Sequence, residues 1–518
     1  MTRKRIMAIG LEAAEPSLIE QWAREGHLPT IASLMQQGAY TRITNSAELA
    51  CSTTWSSISC GVKPGKHGMA FCHRQLKSGT YEVRKKGAGE AGRTPFWVAL
   101  DHNGKSIAIM DVPETKCEDM KGLQIVCWGL DFEAWPTSST PKGLIKEINK
   151  KYGAHPLKNY YQRKCATKEE WKALAEKVIE GAKKRISIWK DILSRKKYEF
   201  SLLSCAETHL AAHFFWHIHD TNHPDHDPDI ARYVGDPILD VYKLFDAAIA
   251  EFRAIDPDAV LAVWSNTGMG PNYSGRHFVQ PVLKKLGYYY SNDDKKKQPR
   301  FLPAADVYSL ETIEKLVRIE TIMFIKKLIP TILWDGLTRR FLNMGSTWAK
   351  SRAFDIPGDN TGTIRLNLKG REPSGLLDPA EYNTVSDDIA KAFIELKDPD
   401  TGNSVVSDVI RVREKYSGDH DHDFPDLVIK WNGTSPITKI CSDRVGLIER
   451  DHLPDKRSGA HTDQGFFLIA GKGIRRQASL NGQMYIWDIA PTLLYLMGEE
   501  IPDDMDGIPQ TSLMVVNE

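Results

Sequence analysis

His209 and His213 lie four residues apart in AETHLAAHFFWH. If that stretch is helical, both imidazoles project from one face, as two helix-borne ligands to a divalent metal must. Taken alone, the pair also fits ordinary helix packing. Other groups able to do chemistry sit beside stretches that read as buried strands. Glu12 follows residues 5–11, Glu207 follows 200–205, Asn266 and Thr267 follow 259–265, and His461 precedes 465–470. Ligands of open α/β sheets bind outside the carboxyl ends of the strands, so these positions are expected to converge at one sheet edge. The neighbouring histidines of WHIHDTNHPDHD (His217, His219, His223 and His226) read as a solvated loop, and so does HDHD at 420–423.

The elements that must hold these residues follow from the apolar pattern. Short apolar runs alternate with helical stretches, which predicts an α/β fold with a mostly parallel central sheet covered on both faces. Further strands are expected at 106–110, 123–128 and 426–431, and helices at 168–195 and 237–254. No internal repeat is visible. Residues 1–518 read as one catalytic domain in which 291–375 is an insertion capping one end of the sheet. Its SNDDKKKQPR stretch at 291–300 is a loop. The apolar stretch 316–337 is interrupted by Arg318, Glu320, Lys326, Lys327 and Asp335, so it reads as an amphipathic helix or lid.

Composition narrows the function class. With 518 residues, 41% hydrophobic and 26% charged, the chain reads as a folded soluble protein. Its 68 basic and 67 acidic residues leave a formal charge of +1, which argues against a nucleic-acid or anionic-membrane partner and favours a small-molecule substrate. A homo-oligomer is compatible with this. The basic start MTRKRIMAIG meets Glu12 and Glu15 before an apolar run of secretory length develops. Eight cysteines without a CxxC pair make no disulfide framework, so reduced thiols and a cytoplasmic location are expected.

The order of several segments resembles the alkaline phosphatase superfamily, in particular its type I phosphodiesterase/nucleotide pyrophosphatase branch. They are GLEAAEP at Gly10, TWSSISCGVKPGKHGM at Thr54, TPFW at Thr94, HLAAHFFWH at His209 and WSNTGMGP at Trp264. RLNLKGREPSG at Arg365, PDLVIKW at Pro425, GAHTDQGFFLIAGKGI at Gly459 and DIAPTLLYLMG at Asp488 continue the series. The resemblance implies an alkaline phosphatase-like three-layer sandwich with two metal ions about 4 Å apart that clamp the oxygens of a phosphoryl transfer. It also implies a covalent intermediate on a Thr, Ser or formylglycine nucleophile.

Carried over residue by residue, the resemblance exposes departures. Glu12 stands where a metal-binding Asp is usual, and Cys51 occupies the nucleophile position. Cys51 could act as a thiolate nucleophile, ligate a metal or lie inert, and a slip of register would put Ser52 or Thr53 in its place. Thr53 and Trp55 do not match the motif for conversion to formylglycine. His209 replaces the carboxylate of Asp-x-x-x-His, whereas His213 and the late His461 are kept. Asn266 and Thr267 replace the Asp-His of Ser-Asp-His-Gly. One ion on His209, His213 and His461 is therefore expected, with zinc first and iron, manganese, cobalt or copper also compatible. Glu12 is expected as proton acceptor or substrate anchor, and Asn266 and Thr267 as substrate contacts. The activity implied is hydrolysis or group transfer on a phosphoester, phosphonate or related small molecule, with Cys51 or hydroxide attacking. The alternatives are lyase-like or redox chemistry at a single metal, or a pseudoenzyme.

Overall fold

A computed structural model describes residues 4–70, 75–84, 86, 90–129, 136–158, 165–290, 345–450, 457–478, 480 and 482–515. In chain order its strands include β1 (Ile6–Leu11), β2 (Ala39–Thr44), β3 (Ile107–Met110), β4 (Leu123–Val126), β5 (Ser138–Thr140), β6 (Phe200–Cys205) and β7 (Val260–Ser265). These are followed by β8 (Gly268–Pro271), β9 (Ala353–Asp355), β10 (Gly362–Leu366), β11 (Val406–Arg411), β12 (Leu427–Trp431), β13 (Gly459–Thr462), β14 (Gln464–Ala470) and β15 (Met484–Tyr485). Nine of them form one sheet in the order β15-β2-β14-β7-β1-β6-β3-β4-β5. The five neighbours β7, β1, β6, β3 and β4 run parallel. Antiparallel β14 and β5 flank them. The first strand is central, as the sequence pattern predicts.

All six residues of β1 are buried, and they alternate between two cores. Met7, Ile9 and Leu11 pack with residues of α2 (Lys168–Arg195), α3 (Glu207–His219) and α4 (Pro237–Ile255). Ile6 and Ala8 face the opposite side, where Trp55 and Ile58 of α1 (Cys51–Cys60) and Leu493 of α6 (Ile489–Met497) lie. A period of two with both faces apolar is what a sheet between two helical layers requires. Gly10 admits the Trp55 indole, since a Cβ there would come within 2.4 Å of the ring. That contact seats α1, and with it Cys51, against the central strand.

The run at 426–431 departs from expectation. It forms β12 of a separate four-stranded antiparallel sheet, β9-β10-β12-β11, backed by α5 (Tyr382–Ile394). Val428 points into the core shared with α1, whereas Leu427 and Ile429 point into the core with α5. Burial on both faces produced the continuous apolar run, and such a run does not say which sheet it joins. Of the expected cap, 291–344, including the helix or lid at 316–337, lies outside the described residues. Residues 345–375 contribute β9, β10 and the GREP turn to the small sheet. There Arg371 donates to Asp426 at 2.8 and 2.7 Å, and Arg365 donates to Glu372 at 2.7 Å.

His67 locks α1 from beneath. Its Nδ1 accepts from the Met69 amide at 3.1 Å, so Nε2 carries the hydrogen and donates to Ser57 Oγ at 3.0 Å. Burial, aided by Lys86 and His420, holds its pKa down to about 3. The unfolded chain therefore binds the extra proton between about pH 6.5 and 3, and stability falls as pH drops through that window. Urea unfolding at pH 7 and pH 5 should show a loss of about 2 kcal/mol from this group, absent in His67→Gln.

Candidate metal centre

Four of the five non-glycine residues with positive φ among those described, Ala13, Asp111, Glu114 and Cys127, lie just past the carboxyl ends of β1, β3 and β4. Backbone strain gathers at functional edges, and this is the edge at which ligands bind in such sheets.

Helix α3 starts two residues after β6 ends, and Thr208 Oγ1 ties its first turn to the Glu12 carbonyl at 2.6 Å. Its helical repeat brings His209 and His213 together with ring centroids 4.4 Å apart. His461 arrives on the antiparallel ribbon of β8 and β13, where it pairs with Met269. Its centroid is 4.9 Å from each of the other two rings. One ring nitrogen from each residue lies within 4.8 Å of the others. The His209 and His461 Nε2 atoms are 3.2 Å apart. Two ligands on a tetrahedral ion with bonds of about 2.0 Å are separated by about 3.3 Å, so this edge already has the required length.

The surroundings favour ligation. His213 Nδ1 donates to the Gly459 carbonyl at 2.7 Å, which leaves Nε2 as the coordinating atom, the usual outer partnership of a metal-bound imidazole. Burial keeps His213 well below the ordinary imidazole range and lowers His461 to about 4, so both rings are neutral at pH 7. His461 Nδ1 and Glu12 Oε2 are buried without a hydrogen-bond partner among the described residues. A charged ion nearby would compensate such groups.

Close packing of β13 on α3 depends on Gly459, where a Cβ would lie 2.2 Å from the Ala212 carbonyl oxygen. Gly459→Ala should therefore cost about 1–3 kcal/mol and displace His461. Thermal melts should show the first effect, and a loss of metal uptake the second.

Glu12 stands beside this cluster, its Oε1 3.9 Å from His209 Nδ1. Burial pushes its pKa up to about 8 against the pull of Arg185. In the metal-free protein it is therefore largely protonated at neutral pH and able to donate. Cys51 is the first residue of α1. Its sulfur, an Asp359 carboxylate oxygen and a His461 nitrogen all lie within 4.8 Å of one another. Burial and the charges of Asp359, Glu12 and Glu114 raise the thiol pKa well above its usual value, opposed by Arg457.

Asn266 and Thr267, the expected substrate contacts, make hydrogen bonds within the fold. Asn266 accepts from the Ala13 amide at 3.0 Å and donates to Thr54 Oγ1 at 2.8 Å. Thr267 Oγ1 donates to the Thr462 carbonyl. Both residues are buried, and these bonds join β7 to its neighbours.

Glu207, the other strand-end carboxylate, turns inward. It accepts from Arg185 Nε at 2.8 Å and lies 3.0 Å from His155, while Arg185 also reaches Asp111 at 2.6 Å. His217 and His223 are buried rather than solvated: His217, within α3, contacts Ser458 Oγ at 2.9 Å, and His223, in the loop that follows, stacks on Tyr273. Asp359 was missed. It lies in a polar DNTG turn between β9 and β10, and nothing in the local sequence distinguishes it from a solvated loop residue. It is buried, and although burial would raise its pKa, Arg457 and then His461 bring it down to about 2.

A large, mostly parallel sheet between helical layers defines an α/β fold whose ligands bind at its carboxyl edge, where the histidine cluster lies. The sequence profile of the type I phosphodiesterase / nucleotide pyrophosphatase family matches residues 7–439, and the chain belongs to that family. His461 falls beyond the matched part. Among solved structures, phosphonoacetate hydrolase from Sinorhizobium meliloti 1021 in complex with phosphonoacetate is similar with a TM-score of 0.51 and 13% identity, over 96% of this chain and 95% of that one. Human ectonucleotide pyrophosphatase / phosphodiesterase 5 gives 0.48 and 12% identity, over 99% and 100%. At 13% identity the likeness to phosphonoacetate hydrolase speaks for the fold alone. No curated protein matches the chain in sequence. Among the described residues no helix is long and apolar enough to cross a membrane.

Proposed function

We propose that this chain is a single-metal hydrolase of a phosphoester or phosphonate, with His209, His213 and His461 holding the ion. The observation that carries the reading is the convergence of three imidazoles with Cys51 within reach of the third. A divalent ion, zinc first, would polarise the phosphoryl oxygen and offset its charge. Cys51, having given up its thiol proton to solvent water, would attack phosphorus as the thiolate, forming a sulfur–phosphorus bond as the bond to the leaving group breaks. The proton on Glu12 is available to that leaving group, and water would then release the product from the sulfur. Arg457, whose positive charge is felt at Cys51, His213 and Asp359, would orient the anionic substrate.

The commitment of Asn266 and Thr267 to the fold favours a second reading, in which a single-ion centre carries out lyase-like or redox chemistry. Metal analysis of purified protein followed by a panel of phosphodiesters, phosphomonoesters, phosphonates and sulfate esters separates the two. Metal-dependent hydrolysis of any phosphorus ester or phosphonate supports the first reading. Stoichiometric metal with none of these substrates turned over favours the second.

A further inference from the structure

Residue 209, by being histidine, leaves the centre with three neutral ligands and no carboxylate. Asp359 brings one from the other sheet. Its Oδ2 is 3.8 Å from His461 Nε2, the same nitrogen that lies 3.2 Å from His209 Nε2. Its Oδ1 is 3.4 Å from an Arg457 nitrogen. One oxygen thus faces the histidine cluster while the other is held by a cation, the arrangement of a carboxylate that ligates through one atom and is oriented through the other.

The loop carrying it is pinned on three sides. Arg276 donates to the Asp359 carbonyl at 2.8 Å, Asn360 Nδ2 donates to the His461 carbonyl at 3.3 Å, and Thr361 Oγ1 donates to the Glu48 carbonyl at 2.8 Å. Its carbonyl at Asn360 also accepts from Ser274. Asp359 is therefore placed by contacts of its own carbonyl and of the two residues that follow it, independently of any ion. Ligands of one ion sit about 3.0–3.3 Å apart, so a shift of about 0.5 Å brings Oδ2 to that distance from His461. The carboxylate shares a 4.8 Å cluster with Cys51 and His461 and not with His209 and His213, so the side chain must also turn toward those two rings when the ion binds.

We infer that Asp359 is the carboxylate ligand of a three-histidine, one-carboxylate metal centre, supplied by the small sheet in place of the aspartate that position 209 no longer provides. The inference rests on the single-metal reading above. A dianionic imbalance is avoided, because one carboxylate on a divalent ion leaves a net positive centre that still attracts an anionic substrate. The mixed nitrogen and oxygen donors suit zinc, manganese, iron or cobalt.

The test is calorimetric titration of metal-free full-length protein with Zn²⁺ and Co²⁺, with visible spectra of the cobalt-loaded forms. Wild type, Asp359→Asn, Asp359→Glu and His213→Ala are compared. Asp359→Asn keeps the size and one acceptor for Arg457 but removes the charge, so a loss of affinity by itself also fits an outer ion pair; the cobalt band, which reports the ligand set, separates the two. The expected result is at least a tenfold loss of affinity and an altered cobalt d–d band in Asp359→Asn, with Asp359→Glu recovering part of both. A wild-type cobalt spectrum in a folded Asp359→Asn, whatever its affinity, alongside loss of metal in His213→Ala, would overturn the inference and leave the three-histidine centre standing. Absence of metal binding by the wild type would overturn both. Should Asp359→Asn fail to fold, the cobalt spectrum of Asp359→Glu decides: a changed band supports ligation, and an unchanged one refutes it.

Discussion

Replacing Cys51 with alanine or serine is expected to lower turnover of a responsive substrate by about a thousandfold or more while leaving metal content unchanged. The thiol opens α1, where the helix dipole favours an anion, but burial and three nearby carboxylates outweigh it in the metal-free protein. Metal-free protein should accordingly react with iodoacetamide at pH 7.5 far more slowly than a free cysteine does, and zinc should change that rate because it changes the charge facing the sulfur. Mass spectrometry of the modified peptide measures it. Full turnover in Cys51→Ala would remove the thiol from the mechanism and leave the metal centre unaffected.

His213→Ala should lower zinc affinity by more than about a hundredfold, beyond what losing an outer partner of a ligand costs. The readout is thermal stability, because an ion that binds only the folded state raises Tm with its concentration. Zinc should raise the Tm of the wild type and leave that of His213→Ala nearly unchanged. His223→Ala is the matched control: that ring is also buried, but it stacks on Tyr273 and contacts neither His209 nor His461 among the ring pairs of the cluster. A zinc-dependent shift that survives in His213→Ala would end the three-histidine reading.

What was legible in the sequence depended on whether the signal was local. The i, i+4 spacing of His209 and His213 is contained in one helical turn, and β1, β6 and β7 announce themselves as runs buried on both faces. Strand β2 was not seen, because only Ala39 and Ile43 of its six residues are buried and AYTRIT carries no apolar run. β12 was seen but assigned to the wrong sheet. At the site, Asn266 and Thr267 looked like cleft residues from their place after a strand, yet their partners Ala13, Thr54 and Thr462 are distant in sequence and only the fold reveals them. Asp359 was invisible for the complementary reason: a turn aspartate becomes distinctive only when His461, about a hundred residues later, is brought against it.

The pairing of β1 sets an order on biosynthesis. Ile6 lies beside Phe200 and Val260, so the central strand has no neighbour to hydrogen-bond until 194 and then 254 further residues have been translated. At roughly 5–20 residues per second, the second of these waits on the order of tens of seconds. β2 waits longer, since its partner β14 begins at Gln464. The nascent amino-terminal third therefore emerges with unpaired apolar strands, the condition that recruits chaperones and invites misassembly. Ribosome-bound chains halted before residue 200 should be protease-sensitive throughout β1 and β2, and those halted beyond residue 500 should protect both.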